Sequence, residues 1–200
     1  MKYCMLYNKD FKYNDIIDEV IFPYTNNIVE EIKKVDWKDN QRIIIDVNSS
    51  SMDEEVMPIL NMCKQEHPNM VVKINTYWNY TNFTDLLKDA GIPFFYSDYF
   101  TKSDEIYWAI GKGVTDVYIT EGLCFDIGDI GKYCREKGVK VRVIPNIAQH
   151  AVGCKDGVPD PLKFFIRPED VRQYEDSVDI LELIADTGHN TLYEINTQED

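Results

Sequence analysis

Three segments of this chain join a helix-like stretch to an apolar run through a single glycine: "DAGIPFF", "GKGVTDVYI" and "EKGVKVRVI". Glycine tolerates the left-handed backbone of a helix C-cap, so each marks a helix that stops and a strand that starts at once. Repetition of that join at intervals of about 22–30 residues is the rhythm of βα units stacking a parallel sheet. It constrains the fold more than any other feature, because parallel strands need crossover helices and those helices cover the sheet.

Eight apolar segments read as strands: Tyr3–Tyr7, Glu19–Tyr24, Arg42–Val47, Val71–Asn75, Pro93–Tyr96, Asp116–Thr120, Lys140–Pro145 and Val178–Leu183. Runs such as RIIIDV and VVKIN suit a sheet covered on both faces. Helices are expected over Ile28–Lys34, Asp53–Gln65, Thr81–Asp89, Ser103–Gly111 and Phe125–Lys137. The second of these is opened by Ser51-x-x-Glu54, the spacing of a capping box. Eight strands predict an α/β fold of the small or irregular (β/α)8 TIM-barrel type, with an open doubly wound sheet as runner-up. With 200 residues and no composition break, one α/β domain spanning 1–200 is expected. Only about ten residues join the first two strands, too few for a full crossover helix, so irregularity is expected there.

The formal net charge of −14 repels phosphate backbones and excludes strong nonspecific nucleic-acid binding. It leaves room for a basic protein partner or for homo-oligomers. No apolar run approaches the roughly 20 residues of a membrane span. A signal peptide is not expected, and five irregularly spaced cysteines without a CxxC predict free thiols in the cytoplasm.

In parallel α/β folds function gathers where strands run out into the following loops. Those positions carry Asp46 and Asn48, Asn75, Asp98, Glu121, and Asn146 and Gln149. Polar loop residues also cap helices, so structural roles stand beside the functional ones. Asp46 and Glu121 are the candidate acid and base; Asn48, Asn75, Asp98, Asn146, Gln149 and Arg167 are candidate ligand-binding groups. No metal site and no cofactor is expected. A phosphate-binding glycine loop is absent, and "GLCFD" lacks the serine of a nucleophile elbow. His67 suits a helix end.

The stretch "FFIRPEDVRQYEDSVDILEL" places Arg167 between an apolar run and a helix start. Pro168 suits the first helical position, and Glu169 and Asp170 suit the positive end of the helix dipole. Arg167 then has two destinations: a local pair with Glu169 or Asp170, or the mouth of the barrel, where its planar fork suits an anion. Together with the "GVTDVYI" entry to a strand, this stretch resembles the collagenase-like peptidase family over Gly113 to Leu183. That family includes accessory proteins for RNA-base and ubiquinone hydroxylation. The chain is also similar to short phage-encoded relatives with a "PNIAQ" strand end before "FFIRPED". The resemblance implies a barrel with its site at the C-terminal mouth. It does not imply an iron–sulfur cluster or peptidase activity: Gly153 and Cys154 fit the family pattern, but His150 stands where a cysteine belongs, and the remaining ligands are missing.

Two functions follow from these features. Missing family cysteines and the strong negative charge favour a noncatalytic protein, or one of cryptic activity, that acts through protein–protein interaction. The polar strand ends favour an enzyme or accessory protein with a small-molecule or nucleotide site at the mouth, taking a small anionic ligand.

Overall fold

A computed structural model describes residues 2–7, 17–47, 53–74, 83–97, 99–100, 102–119, 127–143, 154–155, 158–159 and 178–183. In chain order the elements are β1 (Lys2–Leu6), β2 (Ile17–Pro23), α1 (Ile28–Lys33), β3 (Arg42–Val47), α2 (Asp53–Glu66), β4 (Val71–Ile74), α3 (Phe83–Asp89) and β5 (Phe94–Tyr96). Then come β6 (Tyr99–Phe100), α4 (Ser103–Gly111), β7 (Asp116–Ile119), α5 (Ile127–Glu136), β8 (Lys140–Val143), β9 (Cys154–Lys155), β10 (Val158–Pro159) and β11 (Ile180–Leu183). All eight expected strands and all five expected helices are present, with ends shifted by a few residues. The short β6, β9 and β10 were not anticipated. The proposed Ser51–Glu54 cap lies outside the described side chains.

The glycine joins form as the sequence requires. Gly91, Gly113 and Gly138 have φ of 62°, 84° and 71°, the left-handed region where a side chain would cost roughly 1–2 kcal/mol. Each sits two or three residues before the next strand begins, and Lys112 N and Gly113 N close the end of α4 on Trp108 O and Ile110 O.

Nine strands form one sheet in the order β5-β4-β3-β2-β1-β11-β8-β7-β6, and every pairing in it is parallel. The order steps one way through the chain, whereas a doubly wound sheet reverses part-way. β1 meets β2 with a register shift between Tyr3 and Cys4, at the join where irregularity was expected. β9 and β10 form a separate antiparallel pair.

The sheet curls strongly. β3 and β7 stand five steps apart in the strand order, so on a flat sheet they would be about 24 Å apart at roughly 4.8 Å per step. Yet Arg42 of β3 hydrogen-bonds Asp116, at the start of β7. The two ends of the order also approach: Thr115, just before β7, donates from N and Oγ1 to Phe94 O of β5, at 2.9 and 3.3 Å. β5 and β6, first and last in the order, are separated in the chain only by residues 97 and 98.

Curling gives each strand an inner and an outer face, and side chains alternate between them. In β3, Ile43, Ile45 and Val47 are buried on the face opposite Arg42 and Asp46. The helices contribute buried residues to the same apolar core, among them Ile28, Ile32, Leu60, Leu87, Ile106 and Ile130. Each such side chain contributes roughly 1.5–3 kcal/mol when fully buried. The outer layer is thus conventional. The inner face is charged.

Candidate functional site

Four charged side chains meet inside the curl. Glu19 lies in β2, Arg42 in β3, Asp116 in β7 and Arg142 in β8, and strand stagger sets Glu19 level with Arg42. Arg42 Nε is 3.0 Å from Glu19 Oε1, while its Nη1 donates to Asp116 Oδ1 at 3.2 Å and its Nη2 donates to Asp116 Oδ2. Arg142 Nη1 is 2.8 Å from Glu19 Oε2 and donates to Asp116 Oδ2 at 2.6 Å. Each acid touches both bases and each base both acids, so the four form a ring with no formal charge.

Glu19, Asp116 and Arg142 are at most 1% exposed, and Arg42 keeps 12%. Burial by itself would raise the Asp116 carboxyl, but the guanidiniums of Arg142 and Arg42 outweigh it and hold the group at about 2. For Arg142, burial would favour loss of the proton, and Glu19 chiefly reverses this, raising it well above its ordinary value. The Arg142 guanidinium also lies 4.8 Å from the centre of the Phe95 ring and 5.6 Å from that of Tyr118. Lys140, half-buried beside the ring, is lowered by burial and by Arg42 against the pull of Asp116 and Glu19. Buried groups with all their charges matched are positioned, not free to react.

A second charged pair lies toward the C-terminal ends of the strands. Asp46, fifth in β3, stands in register with Lys73, third in β4. Their Oδ2 and Nζ atoms are 3.2 Å apart, with side chains 17% and 13% exposed. Lys73 Nζ also sits 5.4 Å over the Tyr118 ring, on the far side of the curl. Tyr118, itself fully buried, therefore lies between this pair and the ring below. An ammonium held beside a carboxylate, both in partial contact with solvent, can take an anionic group or pass a proton.

Of the candidate acid–base and ligand-binding residues, Asp46 alone falls within the described part, where it is fifth of six in β3. Asn48, Asn75, Asp98, Glu121, Asn146, Gln149 and Arg167 lie outside the described residues, as do His150 and the "IRPED" segment. Lys73 and the four ring members were missed. The available signal was their alternation with apolar neighbours, in KVRV and in RIIIDV, which marks a shared face. His67 follows α2 as expected, with its N donating to Cys63 O at 2.8 Å and its ring in a T-shaped pair with Trp37, centres 5.9 Å apart. Burial lowers its pKa.

A hollow of about 200 Å³ between the β3 and β4 entries is lined by Trp37, Gln41, His67 and Asn69 among others. Three of its polar side chains are bonded to the backbone: Gln41 Nε2 donates to Ile17 O, Asn69 Nδ2 to Gln41 O, and Trp37 Nε1 to Ile32 O. It braces two loops and offers a ligand little. Among the described residues no group of three or more His, Cys, Asp or Glu is placed to hold a metal ion, and no helix is long and apolar enough to cross a membrane.

No protein-family model and no curated protein sequence matches the chain. Solved structures do match its fold. One is a "putative isomerase from Sinorhizobium meliloti", 10% identical with a TM-score of 0.61, matched over 94% of this chain and 51% of that one. A second, the same isomerase in an open loop conformation, is 11% identical with a TM-score of 0.58, over 98% and 52%. The chain therefore spans about half the length of these structures. At such identities the likeness is one of fold alone.

Proposed function

We propose that the curled sheet closes into a small (β/α)8-type barrel and that a small anionic molecule binds at the C-terminal ends of its strands. The observation that carries this reading is the Asp46–Lys73 pair, inward-facing and partly exposed above a buried, electrically neutral ring. Closure is supported by the contacts of Arg42 with Asp116 and of Lys73 with Tyr118, which cross the interior. Lys73 would meet the anion. Asn48 and Asn75 directly follow the ends of β3 and β4, and Glu121 follows β7 by two positions, which supports a role for them at the same mouth. Asn146, Gln149, Asp98 and Arg167 belong to this proposal on sequence grounds, as does kinship with the collagenase-like peptidase family and its short phage-encoded relatives. If the site is catalytic, Asp46 and Glu121 are the acid–base candidates.

The experiment is calorimetric titration with inorganic phosphate and a set of small mono- and dicarboxylates, using wild type and Lys73→Met. Saturable binding that Lys73→Met removes is the expected result. Binding by none of these anions, or equal binding by the variant, would end the proposal.

A noncatalytic role through a protein partner is the second reading. It is favoured by one observation: Tyr107 and Trp108 on α4 are 46% and 39% exposed.

A further inference from the structure

The strand registers set the inner face of β1 to β4 in levels. Cys4, Glu19 and Arg42 stand side by side in the lowest, which holds two of the four ring members. Leu6, Ile21, Ile44 and Val71 form the next, and it is wholly apolar. Pro23, Asp46 and Lys73 form the highest, toward the C-terminal ends of β2, β3 and β4. Leu6 belongs to this face because side chains alternate along a strand. Its neighbour Tyr7 stacks on Phe22, ring centres 4.3 Å apart, and Phe22 packs against Trp37, which follows α1 on the outer side. Leu6 therefore points the other way, with Cys4.

The apolar level is sealed at one end and open at the other. Ile21, Ile44 and Val71 are at most 4% exposed, whereas Leu6 is 42% exposed. Pro23, one level up on the adjacent strand, is exposed as well. Both residues end their strands, and an end position accounts for contact with solvent. It does not account for apolar side chains turned inward there, while β3 and β4 carry a carboxylate and an ammonium at the neighbouring places. Nor is β1 an edge strand, since β2 and β11 flank it. The inner mouth is thus apolar on the β1–β2 side and charged on the β3–β4 side. Three strand steps of roughly 4.8 Å part β1 from β4, about 14 Å along the sheet and less across the curl.

We propose that the ligand at the strand ends is a monocarboxylate with an apolar body several carbons long. Its carboxylate meets Lys73, and its body lies over Pro23 and Leu6 and covers them from water. This rests on the anion site proposed above and adds what stands behind the anionic group. Asp46 narrows the choice further. Its carboxylate is 3.2 Å from the ammonium and opposes a second negative charge beside it, so a single carboxylate fits better than phosphate or a dicarboxylate. The open apolar wall is then the part of the site that separates one monocarboxylate from another, since burial of apolar surface grows with each methylene that reaches it.

The test is calorimetric titration with the series acetate, butyrate, hexanoate and octanoate, and with the matched alkylamines. Affinity for the carboxylates is expected to rise about fourfold for each methylene that enters the mouth. Leu6→Asn should flatten that rise and weaken octanoate roughly fivefold, while Leu6→Met keeps the rise. Circular dichroism and the melting temperature report whether both variants keep the fold. Binding by no carboxylate, or equal binding of all of them by Lys73→Met, ends the anion-site reading and this inference with it. Binding that Lys73→Met removes but that does not depend on chain length overturns this inference alone. A rise that folded Leu6→Asn leaves unchanged places the apolar contact elsewhere and also overturns it. Tighter binding of the alkylamines than of the matched carboxylates overturns it in favour of a cation held by Asp46.

Discussion

Two sets of charges share the interior of the curled sheet, and their surroundings differ. Glu19, Arg42 and Asp116 lie in the early parts of their strands, and Arg142 is third of four in β8. The four close into a ring in which Glu19, Asp116 and Arg142 are at most 1% exposed and Arg42 keeps 12%. Asp46 and Lys73 lie nearer the strand ends, and each keeps partial contact with solvent. Ions removed from water cost several kcal/mol each, repaid only when opposite charges and hydrogen bonds are in place. The ring meets the charge part of that demand by matching two carboxylates to two guanidiniums, with hydrogen bonds to Asp116 and ion pairs to Glu19 that lack hydrogen-bond alignment. The upper pair, at 17% and 13% exposure, keeps some contact with solvent on both members. Chemistry of one kind thus stands in two settings: below, it fixes which strands face each other; above, both members of the pair touch solvent.

The sharpest way to break this comparison is to remove one member of each set. Asp116→Ala leaves two buried guanidiniums short of a partner and is expected to cost about 3–5 kcal/mol in urea denaturation. Asp46→Asn should cost less, about 1.5–3 kcal/mol, the range of a hydrogen bond to a charged group. Equal losses would mean that depth does not separate the two sets. Replacing Arg42 and Asp116 together, by Met and Leu, should cost clearly less than the sum of the single changes, since it leaves fewer orphaned charges; a double-mutant cycle that sums without interaction would dissolve the ring as a unit.

Acid gives the next largest effect. The Asp116 carboxyl titrates at about 2 when folded, against an ordinary 3.8. A depressed carboxyl stabilises the fold above its ordinary value, and that stability is lost as pH falls from near 4 through 2. The shift corresponds to about 2 kcal/mol. The slope of unfolding free energy over this window should be reduced in Asp116→Asn. A wild-type slope unchanged by that substitution would place the acid sensitivity elsewhere.

The smallest expected effect concerns thiols. Burial pushes Cys63 and Cys134 up to about 11, and Cys4 is also buried. Mass mapping after brief exposure to a thiol reagent at neutral pH should find these three unmodified in the folded protein. Rapid labelling of Cys63 or Cys134 would show that the outer layer opens more readily than its packing implies.

Much of the fold was legible because it is written locally. A glycine after a helical turn and a β-branched run after the glycine are decided within ten residues, and all three such joins formed. β6 escaped because two residues, Tyr99 and Phe100, carry no periodicity. The ring escaped for a different reason. Alternation in KVRV says that Lys140 and Arg142 share a face, and charged residues on one face ordinarily signal water. Whether that face meets solvent or a curled partner sheet depends on residues such as Glu19 and Asp116, far away in the chain. Asp46 was legible from its place near a strand end. Lys73 was not, because the register that pairs it with Asp46 is a property of two strands together.

The ring also sets a schedule. Arg42 and Asp116 are 74 positions apart, and contacts between such distant positions form slowly because long loops must close first. A ribosome releases Glu19 and Arg42 well before Asp116 and Arg142. Until β7 and β8 follow, Glu19 of β2 and Arg42 of β3 lack the Asp116 and Arg142 partners that they meet in the finished fold. Completion of this fold therefore waits beyond Arg142 for β11, which pairs with both β1 and β8 and so joins the first strand to the later ones.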